Sequence, residues 1–209
     1  RREEAKQESN IHVTLALMVM QRRLTSSIYA IKKTLSNRYN ALKGLLEQLN
    51  QNPELWKQKQ KMDLDLDTIE DFDEFSDEER EGLEQIMADP RKFKLFTTAK
   101  SPQEIREETN QVRVLVEIAE DLYNSNQEEQ KFIKLRELLQ SQGVLDSKEK
   151  LVIFTEHKDT LDYLESRLKN NGYEVTTIHG GKSVDERREA QGIFARQAQI
   201  LIATDAAGE

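Results

Sequence analysis

From Leu151 onward the sequence alternates between short β-branched segments and helical segments, and this alternation constrains the fold more than any other feature. The segments 151–155, 174–179 and 199–205 are apolar and β-branched, as in strands that are buried on both faces. The stretches 159–171 and 184–197 carry apolar residues at helical spacing. Strand, helix, strand, helix, strand predicts right-handed βαβ units and a parallel sheet, so this region is expected to be an α/β domain.

Capping residues give the expected ends of these two helices. Gly172 follows the first helical stretch and is a natural C-cap. Ser183 and Glu186 have the spacing of a capping box at the start of the second.

The first half of the chain has helical periodicity. The pattern runs from Ile11 to about Asn50, and Pro53 lies just beyond it. The apolar positions follow a spacing of three and four: Ile28, Ile31, Leu35, Leu42, Leu45 and Leu49. Two interpretations stay open: an amphipathic arm packed on a neighbouring element, or a basic surface near nucleic-acid phosphates.

Two further helices are predicted after Pro102. We expect one face of the first to be buried through Ile105, Val112, Leu115, Ile118, Ala119 and Leu122. Ser125 and Glu128 have capping-box spacing and predict the start of the second helix, which stops near Gly143. The apolar positions of the second helix are Phe132, Leu135, Leu138 and Leu139.

The formal net charge of −8 comes mainly from one segment. Residues 63–81 carry 11 acidic side chains and 1 basic one, whereas residues 1–62 carry 12 basic and 5 acidic ones. Like charges at this density disfavour compaction, so the acidic run is interpreted as a solvated linker or insertion. A nucleic-acid mimic that competes for a basic groove is the alternative. The overall charge therefore neither favours nor excludes a nucleic-acid partner.

Composition excludes several other classes of protein. There is no cysteine, so no disulfide or thiolate metal site can form, as is usual for a cytosolic protein. The 3 histidines lie far apart in sequence, and a histidine-only metal site is not expected. No apolar run approaches the roughly 20 residues needed to span a bilayer. The chain begins at Arg1 without an initiator Met, which suggests a piece of a longer protein.

These features predict four regions. Residues 1–62 form a helical arm, residues 63–81 an acidic linker or insertion, residues 82–149 a helical region leading into the next domain, and residues 150–209 the α/β domain.

The carboxyl ends of the three predicted strands carry hydroxyls, small residues and charge. Because functional loops of a parallel sheet follow these ends, Thr155 and Thr204 are expected near a common site. Gly180 and Gly181 let the backbone approach a ligand, and their amides together with Lys182 could hold a phosphate oxygen. The sequence therefore predicts phosphate binding at this edge.

Three stretches resemble motifs of superfamily-two helicases in the family's order. LVIFTEHKDTLDYL (151–164) resembles motif IV, IHGGKSVDERREA (178–190) the following strand, loop and helix, and QILIATDAAGE (199–209) the start of motif V. The motif TDAAGE (204–209) is most similar to the corresponding motif of Swi/Snf-like translocases of the HepA/RapA type. The resemblance implies a partial RecA-like parallel sheet, the helicase C-terminal domain of a P-loop NTPase-type motor.

The resemblance also implies roles for individual residues. Thr204 would donate its hydroxyl to a DNA phosphate, the amides of Gly180 and Gly181 would contact the same strand, and Thr155 would lie near it. For His179, the alternative to a role in the site is a structural one, as a strand-end side chain that bonds to the backbone.

Three further residues match positions that line the ATP cleft or contact nucleic acid in the family. Gly208 and Glu209 lie where motif V turns towards the nucleotide. DEAD-box relatives carry a Gln-x-x-Arg pair after the His-Gly turn. Here Val184 takes the Gln position and Arg187 alone matches, so only half of that nucleic-acid contact is supported.

Several motor motifs are missing from the sequence. It has no glycine-rich Lys-Ser/Thr phosphate loop and no Asp-Glu-x-His, and it ends before the arginine-finger motif. The resemblance therefore implies ATP and Mg²⁺ as cofactors of the parent protein, with their main ligands and all catalytic residues outside this chain, which alone is expected to be inactive. Duplex DNA is the expected partner, RNA polymerase or another DNA-bound complex a candidate protein partner, and the nucleoid-associated cytoplasm the expected location.

Two other functions remain compatible with the residues. The helical arm and the acidic segment could form a non-enzymatic interaction module. The parallel sheet could also belong to a flavodoxin-like or receiver-like regulator. A receiver needs an acidic cluster and an acceptor Asp, whereas the first strand is followed only by Glu156.

Overall fold

A computed structural model describes most of the chain as two compact units. The described residues are 2–54, 82, 83, 86, 96–99, 101–125, 129–147 and 149–204, with side chains described from residue 13 onward. The N-terminal unit comprises residues 1–25 and 31–124, and the C-terminal unit comprises residues 26–30 and 125–209. The predicted acidic run at 63–81 lies outside the described residues, and the predicted boundaries of the four regions stay predictions.

The N-terminal unit is helical where it is described. Its helices are α1 (Arg2–Ser26), α2 (Ile28–Gln51) and α3 (Pro102–Asn124). The long helical pattern is thus divided at Ser27, where a serine side chain caps a new helix: the Ser27 hydroxyl accepts a hydrogen bond from the Ala30 amide at 3.0 Å. Helix α2 ends before Pro53, as expected.

The core of this unit lies between α2 and α3. Leu42 and Ile105 are fully buried there, among other apolar side chains at helical spacing. The buried face of α3 runs through Ile105, Thr109, Val112, Val116 and Ala119. The prediction that Leu115, Ile118 and Leu122 belong to this face is wrong, because each is about half exposed. Two apolar stripes share α3, and only packing against α2 selects one of them.

Helices and strands alternate in the C-terminal unit. They are α4 (Gln130–Ser141), β1 (Leu151–Phe154), α5 (Lys158–Asn170), β2 (Val175–Ile178), α6 (Val184–Arg196) and β3 (Ile200–Ala203). All three predicted strands and both predicted helices between them are present. Gly172 follows α5 with φ of 88°, a left-handed conformation that favours glycine. The capping box of Ser183 and Glu186 is also present.

The start of α4 differs from the prediction. The helix begins at Gln130 with Glu129 in the N-cap position, and that residue makes no side-chain cap to α4. The N-cap is thus Glu129 rather than the predicted Ser125, and Glu128 of the predicted capping box lies outside the described residues. Phe132 and Leu139 are buried as expected, whereas Leu138 is 57% exposed.

The sheet is parallel, with strand order β1-β3-β2. The two crossovers run in opposite directions across it, so right-handed connections place α5 and α6 on opposite faces. Strand β2 is buried along its whole length, as predicted. Burial of both faces is wrong for the edge strand β1, where Val152 and Phe154 are 40% and 65% exposed. None of the described helices has the length and hydropathy to cross a membrane.

Candidate nucleic-acid interface

The three strands end in one row at the carboxyl edge of the sheet. Phe154 of β1 and Ile178 of β2 both pair with Ala203 of β3. The Thr155 amide donates to the Ala203 carbonyl at 3.0 Å, and the Thr204 amide donates to the Ile178 carbonyl at 3.0 Å. The residues of the following row are Thr155, Thr204 and His179. Neighbouring strands lie about 4.8 Å apart, so this row presents three polar side chains within a short span.

Two hydroxyls in this row have no hydrogen-bond partner among the described residues. Thr204 is 2% exposed, and its Oγ1 forms no hydrogen bond with any described residue. Thr155 is half-buried, and no described residue bonds to its hydroxyl either. Most buried polar atoms in folded proteins are hydrogen-bonded. An orphan hydroxyl at a ligand-facing sheet edge is therefore an unused donor for a ligand.

The turn after β2 leaves two backbone donors unused. The Lys182 amide closes the turn onto the His179 carbonyl at 3.1 Å, and the Ser183 amide donates to the Glu186 carboxylate at 2.8 Å. The amides of Gly180 and Gly181 donate to no described residue. Successive free amides next to a helix N-terminus suit an anion.

Lys182 and Arg187, the two basic residues next to this turn, both bond to backbone carbonyls of the turn or of β2. The Lys182 ammonium donates to the Thr177 carbonyl at 2.6 Å and lies 3.3 Å from its hydroxyl. The Arg187 guanidinium donates from Nε to the Lys182 carbonyl at 3.1 Å and from a terminal nitrogen to the Gly180 carbonyl at 3.2 Å. Arg187 thus bonds to backbone carbonyls rather than to a carboxylate of its own helix, and its contact with a phosphate stays a prediction. These two bonds hold the turn that carries the Gly180 and Gly181 amides.

The pKa of His179, beside this turn, lies below its ordinary value. Burial lowers its pKa first, followed by the positive charges of Lys158 and Lys182, while Asp162 and Glu186 act in the opposite direction. Its Nδ1 is buried and has no partner among the described residues, so the alternative of a backbone-bonded ring nitrogen is not seen at this atom.

Glycine at position 181 is explained by the imidazole of His179. A Cβ at 181 would meet Nδ1 of His179 at 3.3 Å and Cε1 at 3.4 Å, closer than most real Cβ contacts. The backbone conformation does not require glycine here, because φ is not positive. Close approach of the turn to the ring is what favours a residue without a side chain.

The structure therefore brings six of the predicted site residues to one edge: Thr155, Gly180, Gly181, Lys182, Arg187 and Thr204. Gly208 and Glu209, predicted at the ATP cleft, lie outside the described residues. Sequence reasoning missed Lys158 and Thr177. Lys158 was detectable as a cation in the first turn of the helix after β1, whereas Thr177 lies inside a strand and gave no signal. In the described part of the chain, no group of three His, Cys, Asp or Glu residues could hold a metal ion.

A parallel sheet flanked by helices, with its polar edge at the strand carboxyl ends, defines a partial RecA-like α/β domain. Comparison with protein families gives the same class: residues 130–209 match the helicase conserved C-terminal domain. The match covers 80 of the chain's 209 residues, so this part of the chain is similar to the C-terminal domain of helicases.

Curated relatives of the chain carry names of RNA helicases. It is 37% identical over 83 residues to the DEAD-box ATP-dependent RNA helicase 35B of Oryza sativa subsp. japonica, covering 39% of this chain and 13% of that protein. It is 41% identical over 76 residues to the ATP-dependent RNA helicase DBP3 of Eremothecium gossypii, covering 35% and 14%. The DBP3 protein of Lodderomyces elongisporus is 32% identical over 103 residues, covering 49% and 19%. The chain thus spans less than a fifth of these relatives, and no solved structure matches it.

Proposed function

We propose that this chain is part of an ATP-dependent nucleic-acid motor and that the carboxyl edge of its sheet holds phosphates of one strand. The observation that carries the proposal is the buried hydroxyl of Thr204, which bonds to no residue that the structure describes. Thr204 lies between Thr155 and His179 in the row that follows the paired strands, and Gly180 and Gly181, whose amides are free among the described residues, come directly after His179 in the chain. One hydroxyl, two amides and a neighbouring second hydroxyl form a donor set suited to phosphate oxygens.

ATP hydrolysis belongs to the parent protein in this proposal. Gly208 and Glu209 follow β3 in sequence and would form part of one wall of the ATP cleft. The phosphate loop, the Mg²⁺ ligands and the arginine finger would come from outside this chain, because their motifs are not in its sequence.

The nucleic acid acted on has two candidates. The TDAAGE wording of residues 204–209 favours a Swi/Snf-like translocase on duplex DNA, with RNA polymerase or another DNA-bound complex as protein partner. The names of the curated relatives favour RNA. We propose duplex DNA first, with RNA as the second candidate.

Binding to three labelled probes tests both the proposed phosphate contact and the choice between duplex DNA and RNA. The probes are duplex DNA, single-stranded DNA and single-stranded RNA of the same sequence, titrated with the purified chain at several salt concentrations. Salt-dependent binding to any probe supports phosphate contact. Tighter binding to duplex DNA supports the translocase, and tighter binding to single-stranded RNA replaces it with an RNA helicase. Absence of binding to all three contradicts the proposed interface.

Replacing Thr204 by Val is expected to weaken nucleic-acid binding while stabilising the fold. One hydroxyl–phosphate bond contributes roughly 0.5–1.5 kcal/mol, so the dissociation constant should rise about 2- to 12-fold. In the free protein the same hydroxyl is buried and bonds to no described residue, so its removal should raise the free energy of unfolding by about 1 kcal/mol. Probe titration and denaturant unfolding measure the two effects.

Thr109→Val is the matched control for this experiment. Thr109 is also a buried threonine, but its hydroxyl donates to the Ile105 carbonyl of its own helix at 2.7 Å. This control should lose stability and keep its affinity. Unchanged affinity in Thr204→Val would remove Thr204 from the interface.

Arg187→Lys separates a role in shaping the turn from direct phosphate contact, which stays a prediction. Lysine keeps the charge but cannot make both backbone bonds of the guanidinium, so we expect affinity to fall as far as in Arg187→Ala. Because no phosphate contact is lost, the slope of log K against log salt should stay unchanged. A slope lower by about 0.9 on duplex DNA in Arg187→Ala would instead show a direct contact. Arg188→Ala, on the exposed side of the same helix, is the control.

A further inference from the structure

The break between α1 and α2 is packed as part of the C-terminal unit. Residues 26–30 group with residues 125–209, although the chain on both sides of them belongs to the N-terminal unit. Ser27 is 4% exposed and Ala30 is fully buried. A five-residue junction from the first part of the sequence is therefore built into the domain that carries the candidate interface.

Hydrogen bonds among the hydroxyls of Ser26, Ser27 and Thr160 hold the junction in place. Thr160 Oγ1 lies 2.7 Å from the hydroxyl of Ser26 and 3.0 Å from that of Ser27. Thr160 is itself only 7% exposed. The Ser27 hydroxyl also accepts the bond from the Ala30 amide that caps α2. Buried hydroxyls lose their hydrogen bonds to water, so each depends on these partners and fixes its neighbours in return.

A carboxylate 101 residues further along the chain completes the cap. Glu129 Oε1 accepts a hydrogen bond from the Ile28 amide at 2.7 Å. This use of the carboxylate agrees with the absence of a side-chain cap on α4, which begins directly after Glu129. Two residues far apart in sequence, Ser27 and Glu129, therefore satisfy the first amides of α2.

The junction is hydrogen-bonded to a helical turn that follows a loop of the candidate interface. Thr160 lies in the first turn of α5, whose N-cap is His157, and the Leu161 amide donates to the His157 carbonyl at 3.0 Å. His157 is 7% exposed. The loop that ends at this buried turn begins at Thr155. The contact with Thr160 thus fixes the turn on which the loop ends.

We propose that the α1–α2 junction positions the β1–α5 loop for nucleic-acid binding, with Ser26, Ser27 and Thr160 as positioning residues that act through Thr155. The inference rests on the proposed function and adds a regulatory connection to it. The two helices that leave the junction are continuous with Ser26 and Ser27, which are hydrogen-bonded to Thr160 in the turn that ends the loop. In this proposal, a change at residues 26–30 is transmitted through Thr160 to the phosphate-binding edge.

Thr160→Val and Ser26→Ala test the positioning role by hydrogen exchange in the full chain. Thr160→Val removes the shared hydroxyl at nearly constant volume and leaves the Ser27 cap in place. Ser26→Ala is the milder variant, whose side chain is only half-buried. Losing these bonds should raise exchange at the amides of Thr155 and Leu161 about 2- to 12-fold. The Thr204 amide should be unaffected, and Thr109→Val is again the matched control.

Binding measurements in a double-mutant cycle test the link to Thr155. Thr160→Val should weaken binding to the best probe about 2- to 12-fold, and should weaken it no further when Thr155 is already replaced by Ala. An effect of equal size in both backgrounds overturns the positioning role, because general destabilisation would be additive. Unchanged exchange at Thr155 and Leu161 in both variants also overturns it. If the wild-type chain binds no probe, the proposed function fails, and exchange alone decides whether the junction holds the loop.

Discussion

Replacing Ile202 by Ala is expected to lower the free energy of unfolding of the C-terminal unit by about 2–5 kcal/mol. Ile202 is fully buried in β3, the central strand, where it pairs with Ile153 on one side and Thr177 on the other. Helices on both faces leave little room for the site to collapse around the missing atoms. Protection of the β2 and β3 amides against hydrogen exchange, measured with increasing denaturant, reports this unit separately.

Two further variants calibrate this result. Ile202→Val removes one methylene and should cost about 0.5–1.5 kcal/mol. Val152 lies on the edge strand and is 40% exposed. Val152→Ala should therefore lower the free energy of unfolding less than Ile202→Ala, because less buried apolar surface is lost. A cost for Ile202→Ala no larger than that for Val152→Ala would contradict the central position of β3.

Replacing Glu108 by Ala should destabilise the N-terminal unit by about 1.5–3 kcal/mol. The Glu108 carboxylate accepts a hydrogen bond from Arg38 at 2.5 Å and another from the Thr97 hydroxyl at 2.5 Å. The side chains of Arg38 and Glu108 are only 15% and 21% exposed, so the variant leaves a mostly buried guanidinium without its carboxylate. Denaturant unfolding followed by helical circular dichroism measures the loss.

Glu117→Ala is the matched control on the same helix. Glu117 pairs with Arg113 at 2.6 Å, but these side chains are 56% and 49% exposed, so water and salt screen the pair. Its loss should cost less than about 1 kcal/mol. The double variant Arg38→Met/Glu108→Leu should recover much of the stability, because it leaves no unpaired buried charge. Equal costs for Glu108→Ala and Glu117→Ala would contradict this account.

Local chemistry was sufficient to predict the elements of the α/β domain. β-Branched runs specify strands wherever they stand, and the capping box of Ser183 and Glu186 spans a single helical turn. Gly172 was predictable as a helix end because only its own φ had to be left-handed. Alternation of strands and helices then implied parallel strands, and parallel strands implied that Thr155, His179 and Thr204 end at one edge.

Partners distant in sequence decided the rest. The break at Ser27 could not be predicted from a helical pattern that continues through it, because Thr160 and Glu129, which hold it, lie more than 100 residues away. The inward direction of Arg187 likewise depends on carbonyls that only the folded turn presents. Sequence by itself determined which segments become strands and helices, because those preferences are set by neighbouring residues. Tertiary structure alone decided strand order, which stripe of α3 is buried and which polar atoms stay unpaired, because each depends on which distant surfaces exclude water.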